Sequence, residues 1–84
     1  MSPPVGTSEL HCRALAQCES GGDPTAVSYG GLYRGLYQFT QGTWASVGGV
    51  GDPAAATPAE QTYRAQLLYN REGRTPWPVC WKYL

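Results

Sequence analysis

Three cysteines in a chain of only 84 residues restrict its fold more than any other feature. A domain of this size has a small apolar core and often depends on a disulfide for stability. Cys12 and Cys18 lie in one predicted helix, where they would be roughly 9 Å apart along the axis and on different sides of it, too far for a disulfide. Cys80 is therefore the expected partner. A bond from Cys18 to Cys80 would stabilise the fold by about 4 kcal/mol and leave Cys12 as a thiol.

The clearest local pattern predicts a helix that begins at Thr57. Thr57 is a favourable N-cap, Pro58 suits the first helical position, and Glu60 completes a capping box. The helix is expected to continue to Gly73, because glycine accepts the left-handed backbone that often follows a helix end.

Other patterns predict the remaining elements. Residues 9–20 are expected to form a helix that ends at Gly21-Gly22. Aromatic and β-branched residues over 27–39 favour a short hairpin or a loop with an edge strand. Thr40 is expected to cap a short helix, and two prolines favour an extended segment over 75–81. The expected apolar stripe of the first helix comprises Leu10, Ala14, Leu15 and Cys18.

The length of the chain leaves room for one domain. Residues 9–84 are expected to form it, as an α+β, mostly helical fold with a short β-hairpin or loop region and one disulfide. Residues 1–8 contain two prolines and a glycine and are expected to be a disordered lead-in or linker stub. They lack the features of a signal peptide, and no stretch of the chain approaches the 18 or so apolar residues of a membrane span.

Charge and composition exclude several classes of partner. Six Lys and Arg residues balance six Asp and Glu residues, so no positive field attracts nucleic acid or an anionic membrane. Aromatic residues make up 12% of the chain, and their flat rings suit a neutral polymer such as a glycan. The cysteines and His11 lack the spacing of zinc ligands, so we expect no metal and no organic cofactor.

Glu19 is the strongest candidate for acid–base chemistry. It lies at the C-terminal end of the first predicted helix, where the helix dipole disfavours negative charge, and beside Cys18 of the expected disulfide. Both effects should raise its pKa, which suits a general acid that donates a proton to a glycosidic oxygen. The alternative interpretation is a surface glutamate before a glycine turn.

Four segments of the sequence form a recognisable pattern. They are Ala16-Gln17-Cys18-Glu19-Ser20-Gly21-Gly22, Gly35-Leu36-Tyr37-Gln38-Phe39, Gly42-Thr43-Trp44 and Trp77-Pro78-Val79-Cys80. In this order and spacing they resemble the catalytic domain of the resuscitation-promoting factors of actinobacteria, which has a lysozyme-like fold. The resemblance spans residues 10–80 and strengthens the assignment of Glu19.

The resemblance implies cleavage of peptidoglycan glycan strands between N-acetylmuramic acid and N-acetylglucosamine, by a secreted or cell-wall-associated protein. Glu19 matches the single catalytic glutamate of the family, and Thr43 matches a substrate-contacting threonine. Cys18 and Cys80 match the family's disulfide. The segment 35–39 also resembles the G-L-x-Q-x motif of soluble lytic transglycosylases, which implies that Gln38 lines the sugar groove.

Two departures from the family pattern bear on the site. Tyr37 is an extra residue, and an insertion in a strand reverses the side chains that follow unless a bulge absorbs it, so either Tyr37 or Gln38 would face the groove. Tyr33 and Tyr37, like Tyr29, are candidates to stack on sugar rings. Asp23 replaces a usual asparagine and is either a second catalytic carboxylate or the start of a turn.

Glu19 alone fits the scheme of the lytic transglycosylases that this pattern resembles, in which one glutamate acts as acid and then as base while the muramyl 6-hydroxyl attacks its own anomeric carbon. A water-attacking muramidase that uses Asp23 or another base is the alternative, and the sequence is compatible with both. The rival interpretation from another class is a non-catalytic cell-wall glycan-binding module, and a fragment of a phage lysis protein would share the same chemistry. We expect a monomer that acts on peptidoglycan glycan strands.

Overall fold

The computed structural model describes residues 9–73 and 75–80 and confirms the α+β, mostly helical fold. About half of the chain is helical, and a two-stranded antiparallel hairpin packs beside the helices. Within the described residues the elements are α1 (Glu9–Ser20), β1 (Val27–Ser28), β2 (Tyr33–Arg34), α2 (Gln41–Ser46) and α3 (Pro58–Glu72), with short 3₁₀ turns at Tyr29–Gly31 and Pro53–Ala55. The predicted lead-in over residues 1–8 and the end of the predicted domain at 81–84 lie outside the described residues.

The end of α1 is set by two glycines, as predicted. The Gly21 amide donates to the Gln17 carbonyl at 3.0 Å, and the Gly22 amide donates to the Ala16 carbonyl at 3.3 Å. Both glycines have positive φ, which closes the last turn of the helix and satisfies its free carbonyls. Glu19 is therefore held in the final turn of α1.

The buried face of α1 differs from the expected stripe. Cys12, Leu15 and Ala16 are buried at helical spacing, whereas Cys18 is exposed. The prediction for Cys18 is wrong because the core meets the other side of the helix. Burial of Cys12, at 2% exposure, also keeps its thiol in the apolar core.

The hairpin alternative for residues 27–39 is the one observed. β1 pairs with β2 in the register Val27 with Arg34 and Ser28 with Tyr33. Arg34 and Phe39 then exchange backbone hydrogen bonds of 2.9 Å in each direction, which closes a second turn over residues 35–38. Tyr37, which the sequence comparison takes as an extra residue, lies in this turn rather than in a strand.

α3 begins at Thr57, whose hydroxyl accepts from the Glu60 amide at 3.1 Å as the capping box predicts. One turn later the fully buried Gln61 joins three segments of backbone. Its Oε1 accepts from the Leu36 amide at 2.7 Å, and its Nε2 donates to the carbonyls of Pro24 and Ala56 at 3.1 and 2.9 Å. This junction fixes the hairpin against α3.

Gly35 allows that close approach. A Cβ at this position would lie 2.4 Å from Gln61 Oε1, and the backbone φ of +84° also disfavours any residue with a side chain. The start of the turn over 35–38 is therefore restricted to glycine by both space and backbone conformation.

The predicted disulfide joins the two ends of the fold. Cys18 and Cys80 are bonded with a Cα–Cα distance of 5.9 Å, which confirms the expected pairing. The segment 75–80 consists of turns rather than the extended chain predicted for it, and it inserts Trp77 into the core at 2% exposure. Trp77 Nε1 donates to the Tyr37 carbonyl at 3.1 Å, so this segment also supports the turn over 35–38.

The apolar core lies between α1, α2, α3, the hairpin with the turn that follows it, and the segment 75–80. Its larger members include Leu15, Tyr37, Phe39, Trp44, Leu68 and Trp77. In the described part of the chain, every helix is too short or too polar to cross a membrane.

Candidate active site

Glu19 is a half-buried carboxyl group that has no partner among the described residues. Among the described residues, nothing donates a hydrogen bond to its carboxylate or forms an ion pair with it. Burial raises the pKa of Glu19, because the carboxylate loses water and gains no compensating charge. The direction of this pKa shift agrees with the sequence prediction, and its main cause is desolvation.

Three other carboxylates, those of Asp52, Glu60 and Glu72, have structural partners. Asp52 pairs with Arg34 at 2.9 Å and accepts from the Ala54 amide at the same distance. Glu60 pairs with Arg64 at 2.8 Å, and Glu72 pairs with Arg71. Glu19 therefore differs from its counterparts in being both desolvated and unpaired.

Asp23 occupies a turn. Its Oδ1 accepts from the Thr25 hydroxyl at 2.7 Å and from the Thr25 amide at 2.9 Å. These two bonds hold the pKa of Asp23 below its ordinary value, and the residue is exposed. The geometry is that of an Asx turn, which accounts for Asp23 without a catalytic role.

The four predicted substrate-binding residues lie on one small cavity of about 160 Å³, here called the hairpin cavity. It lies where the hairpin, the start of α2, the end of α3 and the segment 75–80 meet. Its wall is formed by Tyr33, Tyr37, Gln38, Phe39, Thr40, Thr43, Leu68, Glu72, Thr75, Pro76 and Trp77. The structure thus brings Tyr33, Tyr37, Gln38 and Thr43 together, although they are up to ten positions apart in the sequence.

Tyr37 contributes its ring to the cavity wall and is otherwise a core residue. It is only 3% exposed, and its hydroxyl shares a 2.9 Å hydrogen bond with the Thr62 hydroxyl on α3. Tyr37 therefore helps to fill the core.

Gln38 lies at the end of the same turn with a positive φ of +53°, which is uncommon for a residue with a side chain. Its Nε2 donates to the Gly35 carbonyl at 2.9 Å, and its Oε1 accepts from the Ser28 hydroxyl. The amide thus ties the turn to β1 while one side of the residue lines the hairpin cavity.

Thr43 lies in the first turn of α2, where Thr40 positions it. The Thr40 hydroxyl accepts from the Thr43 amide at 3.2 Å and donates to the Thr43 hydroxyl at 2.9 Å. Because Thr43 Oγ1 already accepts this hydrogen, its own hydroxyl hydrogen is available as a donor toward the cavity.

Glu19 does not belong to the wall of the hairpin cavity. The structural link between them is the disulfide: Cys18 precedes Glu19, and Cys80 follows three residues after Trp77 of the cavity wall. The predicted catalytic and binding residues are therefore joined covalently through their neighbours, although Glu19 itself does not line the cavity.

A larger cavity of about 760 Å³ lies between α1 and α3. Cys12, Ala16, Tyr37, Thr62 and Tyr63 are among the residues that line it. Neither Glu19 nor Thr43 contributes to it. Within the described residues no three His, Cys, Asp or Glu side chains are grouped closely enough to hold a metal ion.

Sequence reasoning missed Gln61 and the role of Thr40 toward Thr43. Gln61 precedes the buried Ala65 and Leu68 by four and seven positions, so a glutamine on the apolar stripe of α3 was an available signal. Thr40 was predicted only as a helix cap, because its contact with a second hydroxyl depends on the geometry of the first turn.

Comparison with known proteins places the chain in a family. The sequence-family model of the transglycosylase-like domain matches residues 6–80. Resuscitation-promoting factor RpfD of Mycobacterium tuberculosis is 51% identical over 67 residues, which cover 80% of this chain and 43% of that protein. Resuscitation-promoting factor Rpf of Micrococcus luteus is 44% identical over 79% of this chain and 29% of that protein.

A further relative carries an enzyme name. The probable transglycosylase SceD of Staphylococcus carnosus is 44% identical over 80% of this chain and 31% of its own length. The chain thus spans less than half the length of each of these curated relatives. With the matching family model and the Cys18–Cys80 disulfide, these similarities show that the chain belongs to the transglycosylase-like domain family and is similar to the resuscitation-promoting factors.

Proposed function

We propose that this domain cleaves the glycan strands of peptidoglycan as a lytic transglycosylase, with Glu19 as its catalytic acid and base. The observation that carries the proposal is a half-buried, unpaired glutamate with a raised pKa in a chain of the transglycosylase-like family. A carboxyl group in this state retains its proton at higher pH than an ordinary glutamate, so it is able to donate to a leaving oxygen.

The reaction needs one carboxyl group and no water. Protonated Glu19 gives its proton to the glycosidic oxygen as the bond from that oxygen to the muramyl anomeric carbon breaks. The Glu19 carboxylate then removes the proton of the muramyl 6-hydroxyl as that oxygen bonds to the anomeric carbon. The products are a 1,6-anhydromuramyl end and a free hydroxyl on the leaving sugar, and Glu19 is protonated again.

The environment of Asp23 favours this scheme over a hydrolytic muramidase. Enzymes that activate water or form a glycosyl intermediate usually place two carboxyl groups on either side of the scissile bond. Asp23 is exposed, and its carboxylate is used by Thr25. An exposed carboxylate whose Oδ1 already holds an Asx turn has a structural role that is independent of the reaction.

The hairpin cavity is proposed to hold part of the glycan next to the scissile bond. Thr43 presents a hydroxyl hydrogen that an acetamido carbonyl would accept, and the half-buried Tyr33 presents a ring surface that suits a pyranose. Tyr37, at 3% exposure, lines the cavity from the core and is too buried to stack on a sugar. Gln38 is proposed to act mainly by keeping the turn in place, because its amide is already hydrogen-bonded. A polymer that extends beyond the cavity would reach Glu19 as well.

The proposed location is outside the cytoplasm, in the cell wall or the medium. The Cys18–Cys80 disulfide is typical of an oxidising compartment, and peptidoglycan lies there. The absence of net charge is consistent with a substrate of hydroxyl and amide groups.

The test is mass spectrometry of the soluble products that form when the domain is incubated with purified peptidoglycan. Wild type is compared with Glu19→Gln, which keeps the shape of the side chain and removes the acid, and with Asp23→Asn as the matched control. We expect products that end in 1,6-anhydromuramic acid from wild type and from Asp23→Asn, and none from Glu19→Gln.

Other outcomes select the alternatives. Products with reducing ends that disappear in Asp23→Asn would establish a muramidase with two carboxyl groups. If wild type binds peptidoglycan but releases nothing, the domain is a glycan-binding module and the enzyme proposal is wrong.

A further inference from the structure

Tyr29 stands apart from the other aromatic residues. Among the aromatic side chains of the described residues it is the one that is mostly exposed, at 82%. The rings of Tyr37, Phe39, Trp44 and Trp77 are buried, and Tyr33 is half-buried. Tyr29 therefore contributes little to the core of the free protein.

The backbone of Tyr29 is also unfavourable. Its φ is +54°, a left-handed conformation that is unfavourable for any residue with a Cβ. Glycine adopts this conformation without strain, yet the chain has a tyrosine here, directly before Gly30 and Gly31. A residue that combines an exposed ring with a disfavoured backbone has no evident structural role, and such residues concentrate at functional sites.

The ring of Tyr29 continues the surface of the hairpin cavity. Its centroid lies 5.4 Å from that of Tyr33, with the two planes at 81°. Tyr33 forms part of the cavity wall next to Gln38 and Thr43. An aromatic surface thus runs from inside the cavity, over Tyr33, to the outermost turn of the hairpin.

The surroundings of Tyr29 are open and weakly charged. A Cβ added at Gly30 would contact nothing within 4 Å, so a ligand has space beside the ring. Leu32 is also exposed, and the nearby Arg34 is paired with Asp52. The exposed ring of Tyr29 offers a flat apolar face, which suits the carbon–hydrogen face of a pyranose.

We propose that Tyr29 stacks on a sugar ring of the glycan strand and adds a binding position beyond the hairpin cavity. This proposal rests on the proposed function, since the cavity supplies the rest of the contact. Its occupant is the same polymer that Glu19 would cleave, because the aromatic surface is continuous from Tyr33 to Tyr29.

The test measures binding to soluble, uncrosslinked glycan strands by calorimetry, in a Glu19→Gln background so that cleavage does not alter the ligand. Tyr29→Ala and Tyr29→Gly are expected to weaken binding by about three- to tenfold, and Tyr29→Phe is expected to bind like its parent. Tyr63→Ala removes a ring that lines the larger cavity, and Val50→Ala shortens an exposed apolar side chain. Neither control variant should change the affinity.

Thermal unfolding separates a lost contact from a damaged fold. Tyr29→Gly should unfold at a higher temperature than Tyr29→Ala, because only glycine relieves the left-handed backbone. Equal loss of affinity in these two variants, despite their different stabilities, would assign the effect to the missing ring.

The proposal is overturned if Tyr29→Ala binds glycan as tightly as its parent while the parent binds measurably. That result leaves the proposed enzymatic function standing. If the Glu19→Gln parent does not bind glycan and wild type does not cleave peptidoglycan, both proposals are wrong.

Discussion

Gln61 and Glu19 are two polar side chains removed from water in opposite ways. Gln61 is fully buried, and both ends of its amide are hydrogen-bonded to backbone groups from three segments. Glu19 is half-buried, and among the described residues its carboxylate has no partner. The junction around Gln61 therefore stabilises the fold, whereas the end of α1 carries a group whose charged form is destabilised.

This difference distinguishes a side chain that stabilises the fold from one that is available for proton transfer. A satisfied buried amide gives a unique geometry to the segments it joins. An unsatisfied carboxyl group retains its proton and is able to transfer it, but only because the surrounding fold tolerates the unfavourable environment. Substitutions of Glu19, Gln61 and Asp23 test this difference.

The largest effect is expected from Glu19→Gln. Cleavage of peptidoglycan should fall by about 10³-fold, because the general acid is lost. The unfolding temperature at pH 7 should rise, since a neutral amide avoids the desolvated charge. Release of soluble products measures activity, and calorimetry measures the unfolding temperature. A variant that loses both activity and stability would show that Glu19 stabilises the fold.

Gln61→Leu is expected to lower the free energy of unfolding by about 3 kcal/mol and the unfolding temperature by roughly 15 °C, because the Leu36 amide and two carbonyls lose their partner. The pH profile of kcat/KM should be unchanged for the protein that remains folded. Gln17→Leu, on the exposed side of α1, is the control and should leave stability within about 0.5 kcal/mol. An equal effect of both variants would show that the junction is not special.

The pH dependence reports on Glu19 directly. Because its pKa is raised, the folded protein binds more protons than the unfolded chain from the ordinary glutamate pKa, about 4.3, up to the raised value. The contribution of Glu19 to stability is therefore present at low pH and lost as pH rises through this window. kcat/KM should fall on the basic side by about tenfold per pH unit above the raised pKa.

The measurement is a pair of profiles, stability and kcat/KM against pH, for wild type and Glu19→Gln. The stability difference between the two proteins should vanish below the window. A basic limb of kcat/KM that begins at or below the ordinary glutamate range would contradict a raised pKa for the catalytic acid.

The smallest effect is expected from Asp23→Asn. Asparagine also starts an Asx turn, so the turn to Thr25 is preserved while the charge is removed. Activity should stay within about twofold of wild type, in contrast to the loss from Glu19→Gln. A loss near that of Glu19→Gln, measured as initial rate on the same peptidoglycan, would require a second catalytic carboxyl group.

Much of the fold follows from local patterns in the sequence. Thr57 and Glu60 predicted the start of α3, Gly21-Gly22 predicted the end of α1, and Thr40 predicted the start of α2. These signals are reliable because each is a backbone hydrogen bond or a backbone conformation that neighbouring residues settle among themselves.

Only part of the candidate site could be predicted from local patterns. Glu19 was proposed from its place at a helix end. Helix geometry excluded a bond between Cys12 and Cys18, and the family resemblance indicated Cys18 as the partner of Cys80. Gln61, the burial of Cys12 and the exposure of Cys18 were not predicted, because they depend on which side of a helix meets the core. Helical spacing defines the faces of a helix but not their partners.

By itself, the sequence determined where helices begin and end, that Cys12 and Cys18 do not bond to each other, and that Glu19 is the strongest candidate for the catalytic acid. Only the tertiary structure decided that residues 35–38 form a turn that absorbs Tyr37, and that Thr43, Gln38 and Tyr33 line one cavity apart from Glu19. The physical reason is range: caps and turns are contacts between neighbours, whereas burial and cavities arise where distant segments pack together.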